Sequence, residues 1–237
     1  MKWNKKYMSS LLAASVIISL GGPIITATES QAENNQEQHD HDHDHDHDHD
    51  HHHHEKKPHQ EGIFEDDEVK DRDLTDYSGE WQSVYPYLES GDLDMVFRNK
   101  ASKDDSKTFE EYKEYYTTGY KTDIDHITID GEKNTITFHK GDEAKTATYK
   151  YDGFKILTYE SGKKGVRYLF TATDNPDGAP KYVQFSDHEI SPTKAHHFHI
   201  FFGDSSHDEI LKEMDNWPTY YPANLDAHGI VDEMLAH

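Results

Sequence analysis

The feature that most constrains the fold is a series of short segments in which polar and apolar residues alternate. A period of two places successive side chains on opposite faces of a strand, so each segment is predicted to be a half-buried β-strand. The predicted strands are Ile124 and its neighbours, 126–129, 135–139, 144–151, 155–159, 166–171, 182–185 and 197–202. Glycine-containing turns such as Asp152-Gly153 separate them. About eight strands joined by short turns favour an antiparallel, up-and-down β-barrel.

Helical patterns flank these strands. Thr108 is a favourable N-cap, and Glu111 completes a capping box for a helix that ends near Gly119. Asp76 or Ser78 is a candidate cap for a helix predicted at 80–88. The further predicted helices span 93–100, 206–215 and 227–235, and the segment 217–222 between the last two is predicted to serve packing rather than ligand binding. The fold prediction is therefore mainly β with flanking helices.

Composition limits the classes of function. The 237 residues carry a formal net charge of −23 at pH 7, which opposes binding to nucleic acid or to an anionic membrane surface. The chain contains 20 histidines and no cysteine. Disulfides and thiolate metal sites are therefore excluded, and a transition-metal site must use imidazole and carboxylate. Those ligands favour zinc-like ions over Cu(I).

The amino terminus has the pattern of a secretory signal. Three lysines precede an apolar stretch at 11–20, and small residues at 30 and 32 suit cleavage. The alternative is a membrane anchor, but the stretch is shorter than the ~20 residues that span a bilayer. A lipoprotein anchor would require a cysteine. Residues 1–32 are thus predicted to be a cleaved signal peptide, and the mature protein to be exported, periplasmic or secreted to the cell surface, without membrane insertion.

Residues 33–61 form a polar tract in which histidine and aspartate alternate from His39 to Asp50, followed by four consecutive histidines and by His59. The tract lacks the apolar residues of a packed core, so it is predicted to be disordered. A purification tag or a solvating spacer are two interpretations. The third is a metal-collecting arm, because alternation in an extended chain presents imidazoles on one side and carboxylates on the other.

A second histidine cluster lies in the region 62–237, which is predicted to be one globular domain. His197 and His199 are two residues apart on a predicted strand, so they project from one face, about 7 Å apart along it. A turn at Pro192 would bring His188, at the end of the preceding strand, beside them. Three neutral imidazoles with one open position are a common zinc arrangement. The alternative is a set of half-buried, hydrogen-bonded histidines.

The remaining histidines of the domain are predicted to have other roles. His196 should point away from the pair, at the surface or behind the ligands, and His207 should be solvated at a helix start. His126, His139 and His228 are predicted to be structural rather than metal ligands.

Several longer motifs resemble the ZinT family of bacterial zinc-binding proteins. They are Val69-Lys70-Asp71-Arg72, Trp81-Gln82-Ser83-Val84-Tyr85-Pro86-Tyr87-Leu88, Gly165-Val166-Arg167-Tyr168-Leu169-Phe170, Phe185-Ser186-Asp187-His188, His197-Phe198-His199 and Asn216-Trp217-Pro218-Thr219-Tyr220-Tyr221-Pro222. The resemblance covers residues 62–237 and implies a calycin-like, lipocalin-type barrel whose metal ligands are His188, His197 and His199. It also implies zinc scavenging under zinc limitation, delivery to the solute-binding protein of an ABC importer, and an association with cadmium.

Three other functions compete with zinc uptake. A metallohydrolase would need a general base beside the metal, and Glu189 on a strand would face away from His188. A lipocalin-like carrier of small ligands would need an apolar cavity, whereas histidines are expected to line one end of the barrel. Sequestration of excess zinc or cadmium would use the same ligands as uptake. The sequence therefore favours a zinc-binding protein that is not an enzyme.

Overall fold

The computed structural model describes residues 57–236. Eight antiparallel strands follow one another in sequence order around a closed barrel, and β1 pairs with β8 to complete the wall. The strands are β1 (Gly79–Ser83), β2 (His126–Asp130), β3 (Thr135–Lys140), β4 (Glu143–Thr158), β5 (Lys164–Asp174), β6 (Tyr182–Ser186), β7 (Phe198–Gly203) and β8 (Thr219–Pro222). The predicted antiparallel, lipocalin-like barrel is confirmed. The predicted signal peptide and most of the predicted arm lie outside the described residues.

Aromatic side chains fill the interior of the barrel. Alternate residues of each strand point inward, and Trp81, Phe185, Phe198 and Tyr220 are almost completely buried there. The ring of Tyr77, from a short 3-10 helix ahead of β1, stacks on Phe185 with the centroids 4.5 Å apart. This packing makes the barrel a solid support for residues on its outer wall.

Helices cover part of that outer wall and form a second core with it. They are α1 (Tyr85–Ser90), α2 (Asp94–Lys103), α3 (Phe109–Tyr120), α4 (His207–Ile210) and α5 (Ala227–Ala236). Neighbouring residues of β8 contribute to different cores, Tyr220 to the barrel interior and Tyr221 to the helical cluster. The wall at β8 is therefore buried on both faces. None of the helices between residues 57 and 236 is long and apolar enough to cross a membrane.

Two of the predicted helices agree closely with the structure, and another agrees only in its second half. The capping box of Thr108 and Glu111 forms at the start of α3, and the predicted helix at 93–100 corresponds to α2. The helix predicted at 80–88 is wrong in its first half, because residues 79–83 form β1 and α1 begins only at Tyr85. Trp81 fills the barrel from this strand, and Pro86 suits the first turn of a helix that starts there.

Three further boundaries differ from the prediction. The segments 144–151 and 155–159 form one strand, β4, because the expected turn at Asp152-Gly153 is a register shift within it. The linking segment 217–222 contains β8, which closes the barrel. The helix predicted at 206–215 is limited to the four residues of α4.

The boundary between the arm and the domain also differs. Residues 57–61 were assigned to the disordered arm, but Pro58–Glu61 form a short 3-10 helix. The side chains of His59 and Gln60 both bond to the Glu189 carboxylate. These contacts fix the start of the described chain against the loop that follows β6.

Candidate metal centre

The three predicted ligand histidines converge. Each of His188, His197 and His199 offers a ring nitrogen, and these nitrogens all lie within 4.8 Å of one another. The Nε2 atoms of His188 and His199 are 3.3 Å apart. Metal–nitrogen bonds of 2.0–2.1 Å in a tetrahedral site place two nitrogens about 3.3 Å apart. The spacing of this pair therefore already suits a shared ion.

His188 reaches the cluster from a loop rather than from the predicted strand end. Strand β6 ends at Ser186, and His188 adopts a left-handed backbone conformation with φ of 65°. Such a conformation is uncommon for a residue other than glycine and is costly unless the surroundings impose it. The loop must therefore be held from outside.

Arg72 holds this loop on both sides of His188. Its buried guanidinium donates to the Asp187 carboxylate at 2.6 Å and to the backbone carbonyl of Thr193 at 2.8 Å. A third hydrogen bond, to Asp76 at 2.7 Å, fixes the guanidinium itself. Arg72 thereby connects Asp187, which precedes His188, to Thr193, five residues after His188.

Burial and pairing act against each other in this ion pair. Burial would lower the pKa of Arg72, but the neighbouring Tyr77, Asp187 and Asp76 outweigh it, so the pKa lies above its usual value. Burial raises the pKa of Asp187, and Arg72 offsets only part of that rise. A buried pair of this kind is costly to break from one side, because the remaining charge would be left without compensation.

His199 is oriented by β8. Its Nδ1 lies 2.7 Å from the Thr219 hydroxyl, and that hydroxyl donates to the backbone carbonyl of Trp217 at 3.0 Å. The hydroxyl proton is thus in use, so Nδ1 of His199 must be the donor. In neutral imidazole the lone pair then resides on Nε2, the nitrogen that faces His188.

His197 lies just before β7 rather than within it, since the strand begins at Phe198. It is 7% exposed, and its ring stacks on Tyr221 with the centroids 5.1 Å apart and the planes at 12°. Phe198 and Ile200 belong to the barrel interior, so His199 between them faces the opposite way. The site therefore sits on the outer wall, beside the helical core, and does not line one end of the interior as expected.

Among residues 57–236, no other histidine belongs to this cluster. The predictions for His196 and His207 had different outcomes. His196 is exposed, as expected for a residue that points away. His207 was predicted to be solvated, but its side chain is only 15% exposed and bonds to Thr171 and Gln184. No local pattern in the sequence marks Arg72, Thr219 or Tyr221 as supports of the site. All three lie in the motifs that carry the family resemblance, and that resemblance is the feature from which their importance could have been predicted.

The fold and the site together define a class of protein, a lipocalin-like antiparallel barrel with three converging histidines on its outer wall. The profile of the family described as ZinT (YodA) periplasmic lipocalin-like zinc-recruitment matches residues 55–237. The chain belongs to the ZinT family.

Relatives and solved structures agree with this assignment. The zinc-binding lipoprotein AdcA of Streptococcus pneumoniae strain R6 is 58% identical over 181 residues, which are 76% of this chain and 36% of that protein. The probable metal-binding protein YrpE of Bacillus subtilis is 52% identical over 177 residues, covering 75% of this chain and 69% of YrpE. The chain thus spans about a third of the length of AdcA.

The structure of the Zn(II)-bound ZinT-like domain of Streptococcus pneumoniae AdcA superposes with a TM-score of 0.73 at 56% identity. The match covers 76% of this chain and 99% of that domain. The full-length Zn(II)-bound AdcA structure gives a TM-score of 0.74 at 57% identity, over 77% of this chain and 39% of AdcA. The similarity therefore resides in the barrel domain.

Proposed function

We propose that this chain is an exported zinc-binding protein that scavenges zinc under zinc limitation and passes it to the solute-binding protein of an ABC-type importer. The observation that carries the proposal is the convergence of His188, His197 and His199 on one point of the outer wall. The names of the relatives, a zinc-binding lipoprotein and Zn(II)-bound domains, support zinc as the ion. The signal-like amino terminus supports an extracytoplasmic location, in a periplasm or at the cell surface.

The donor set supports zinc over other common ions. Three imidazoles without thiolates suit a borderline ion in tetrahedral geometry, with the fourth position left to water or to a group from a partner. Cadmium would be accepted by the same nitrogens. An open fourth position also suits handover, because an incoming ligand can bind before a histidine leaves.

The carboxylates next to the cluster support binding rather than catalysis. Hydrolysis at zinc requires a general base close to the metal-bound water. Glu189 is bonded to His59 at 3.1 Å and to Gln60 at 2.7 Å. Asp187 is paired with Arg72. Both neighbours of His188 thus serve as anchors, and we propose that the protein is not an enzyme.

The histidine-rich tract is proposed to collect metal for this site. The contacts of His59 and Gln60 with Glu189 place the start of the described chain next to the residue that follows His188. The tract is attached at that point. Ions bound anywhere along it are therefore held near the barrel site, at a concentration set by the tether.

Competition against a high-affinity chelator tests the site in the complete mature chain, because only the tightest ion survives it. We expect His188→Gln and the double variant His197→Ala/His199→Ala to lose the chelator-resistant zinc ion. His228→Ala, at a solvent-exposed histidine of α5, should retain it. Undiminished tight binding by the double variant would show that the ligands lie elsewhere.

Growth of a deletion strain separates uptake from sequestration. A growth defect under zinc chelation supports scavenging and delivery. A defect confined to excess zinc or cadmium would instead assign the protein to sequestration.

A further inference from the structure

The outer faces of β1, β2 and β3 carry a second group of metal-competent side chains. His126 and His139 are directly opposite each other on antiparallel strands, with ring centroids 5.4 Å apart. Glu80 pairs with Thr128 in the adjacent row. From the sequence alone, the two histidines were predicted to be separate structural residues. Their pairing follows only from the register of β2 and β3.

A short hydrogen-bonded chain connects these side chains. The Nε2 of His126 lies 2.7 Å from Glu80 Oε2, and the Thr128 hydroxyl donates to the same oxygen at 2.8 Å. The Nε2 of His139 is 3.1 Å from that hydroxyl. Because the hydroxyl proton points to Glu80, His139 must donate to Thr128. Both imidazole Nε2 atoms are thus directed at one carboxylate oxygen, directly or through Thr128.

We propose that Glu80, His126 and His139 form a second binding site for a divalent transition-metal cation of the zinc type. Two imidazole nitrogens and a carboxylate oxygen are a suitable donor set for such an ion. Each neutral ring has a single proton, so for the ion to bind Nε2 that proton moves to Nδ1 by exchange with solvent, which frees the Nε2 lone pair. The side chains of Glu80 and His126 are 58% and 33% exposed, so both are accessible from solvent.

The charge of Glu80 suits this role. Partial burial alone would raise the pKa of Glu80, but the hydrogen bonds from His126 and Thr128 together with the nearby rings lower it overall. The carboxylate is therefore ionised at neutral pH and available to a cation. Opposed imidazoles in an antiparallel pair have their Cβ atoms about 4.5–5.5 Å apart, so both rings can turn toward one ion. Among the described residues, only the three histidines of the first site already converge as metal ligands, so binding at the second site requires this rotation.

The second site is separate from the first and weaker. Register places Tyr221 opposite Gln82 and Gln82 opposite His126, while His197 stacks on Tyr221. The two sites thus lie in one row with β8 and β1 between them. Three strand spacings amount to about 14 Å, too far to share a ligand. Binding must also displace the existing hydrogen bonds and takes place in solvent, so the ion exchanges quickly.

Nuclear magnetic resonance of the complete mature chain with labelled histidine tests the proposal. The ring signals of His126 and His139 are assigned with His126→Gln and His139→Gln, and ZnCl2 is then added beyond saturation of the tight site. We expect both signals to shift together with one midpoint. Glu80→Gln removes a proposed ligand and should move that midpoint to at least about tenfold higher free zinc, since the loss even of a carboxylate that only supports a ligand has that effect.

His228→Gln is the matched control, because His228 is also exposed and paired with a carboxylate, Asp232. It should leave the common midpoint unchanged, and thermal unfolding of each variant verifies the fold. Signals that do not move in millimolar zinc, that move with different midpoints, or that respond identically in Glu80→Gln would each overturn the site as proposed.

Discussion

The hydroxyl of Thr219 shows how a single atom orients a proposed ligand. It accepts a hydrogen bond from the Nδ1–H of His199 and donates one to the Trp217 carbonyl. We expect Thr219→Val, which keeps the β-branched shape, to lower zinc affinity about 10- to 100-fold because the ring loses its fixed tautomer. Chelator competition measures this.

Thr137→Val provides the comparison, since Thr137 is also a strand threonine with a bonded hydroxyl, here to Thr146. That substitution should leave zinc affinity unchanged. Equal affinities in the two valine variants would contradict the orienting role of Thr219.

His207 makes the stability of the fold depend on pH, independently of the three clustered histidines. Burial lowers its pKa below 6.5, and Asp152 offsets only part of the effect. The folded state thus binds the proton less readily than the unfolded state. The contribution to stability is complete above pH 6.5 and is lost as the pH falls toward the folded-state pKa.

Thermal unfolding of metal-free protein between pH 7.5 and pH 5, with His207→Gln for comparison, measures this loss. The wild-type chain should lose more stability across that interval. Equal losses of stability in the two proteins would show that the pKa of His207 is the same in the folded and unfolded states.

At the level of elements, the features that could be predicted from the sequence are those that local interactions determine. The capping box at Thr108 acts within one turn, and the alternation of β2 and β3 reflects two faces of one sheet. Strand β1 was missed because five residues carry too little alternation to outweigh nearby helix signals. Its identity depends on pairing with β2 and β8, which are distant in sequence.

The same reasoning explains the partial success at the site. The His-x-His pair and the third histidine were predictable from spacing and resemblance, and the structure does bring them together. The left-handed backbone of His188 was not predictable, and neither were the hydrogen bonds by which Arg72 holds its loop, because Arg72 and Asp187 are 115 residues apart. Contacts of that range follow from the closed barrel and not from a local pattern.

The packing between α3 and the segment before β8 depends on one glycine. A Cβ at Gly119 would lie 2.3 Å from a ring carbon of Trp217, whose backbone NH donates to the Gly119 carbonyl. Alanine is the better helix former, yet we expect Gly119→Ala to destabilise the fold by about 1–3 kcal/mol through overpacking. Urea denaturation measures the change.

Gly229→Ala in α5 is the matched control. Its added methyl meets mainly the flexible end of Leu225, at 3.2 Å. This variant should be neutral or more stable by up to about 1 kcal/mol, as helix propensity predicts. A Gly119→Ala protein as stable as Gly229→Ala would show that Trp217 can move aside.

At the scale of the whole molecule, the histidine-rich tract and the barrel are expected to divide the work of binding. The barrel presents its histidines in place, whereas a tract that is disordered, as its composition predicts, must order its own backbone around each ion, at roughly 1–2 kcal/mol per fixed residue. Native mass spectrometry of the mature chain and of a form lacking residues 33–56 should therefore show additional zinc only in the complete chain. Those ions should be lost first to a mild chelator, and one tightly held ion should remain in both forms.

The deletion keeps residues 57–61, because His59 and Gln60 anchor the loop of the site. The same stoichiometry in both forms would show that the tract is only a spacer.

The pairing of β1 with β8 has a consequence for the order of events during biosynthesis. The Gln82 side chain bonds to the carbonyl of Pro222, 140 residues further along the chain. The wall therefore stays open until nearly all of the domain has left the ribosome. Because Thr219 of the last strand orients His199, an unfinished chain, or one kept unfolded for translocation, carries the histidines without their geometry. The proposed three-histidine site is therefore absent from a nascent chain and forms only where the barrel closes, whatever the histidine-rich tract binds before then.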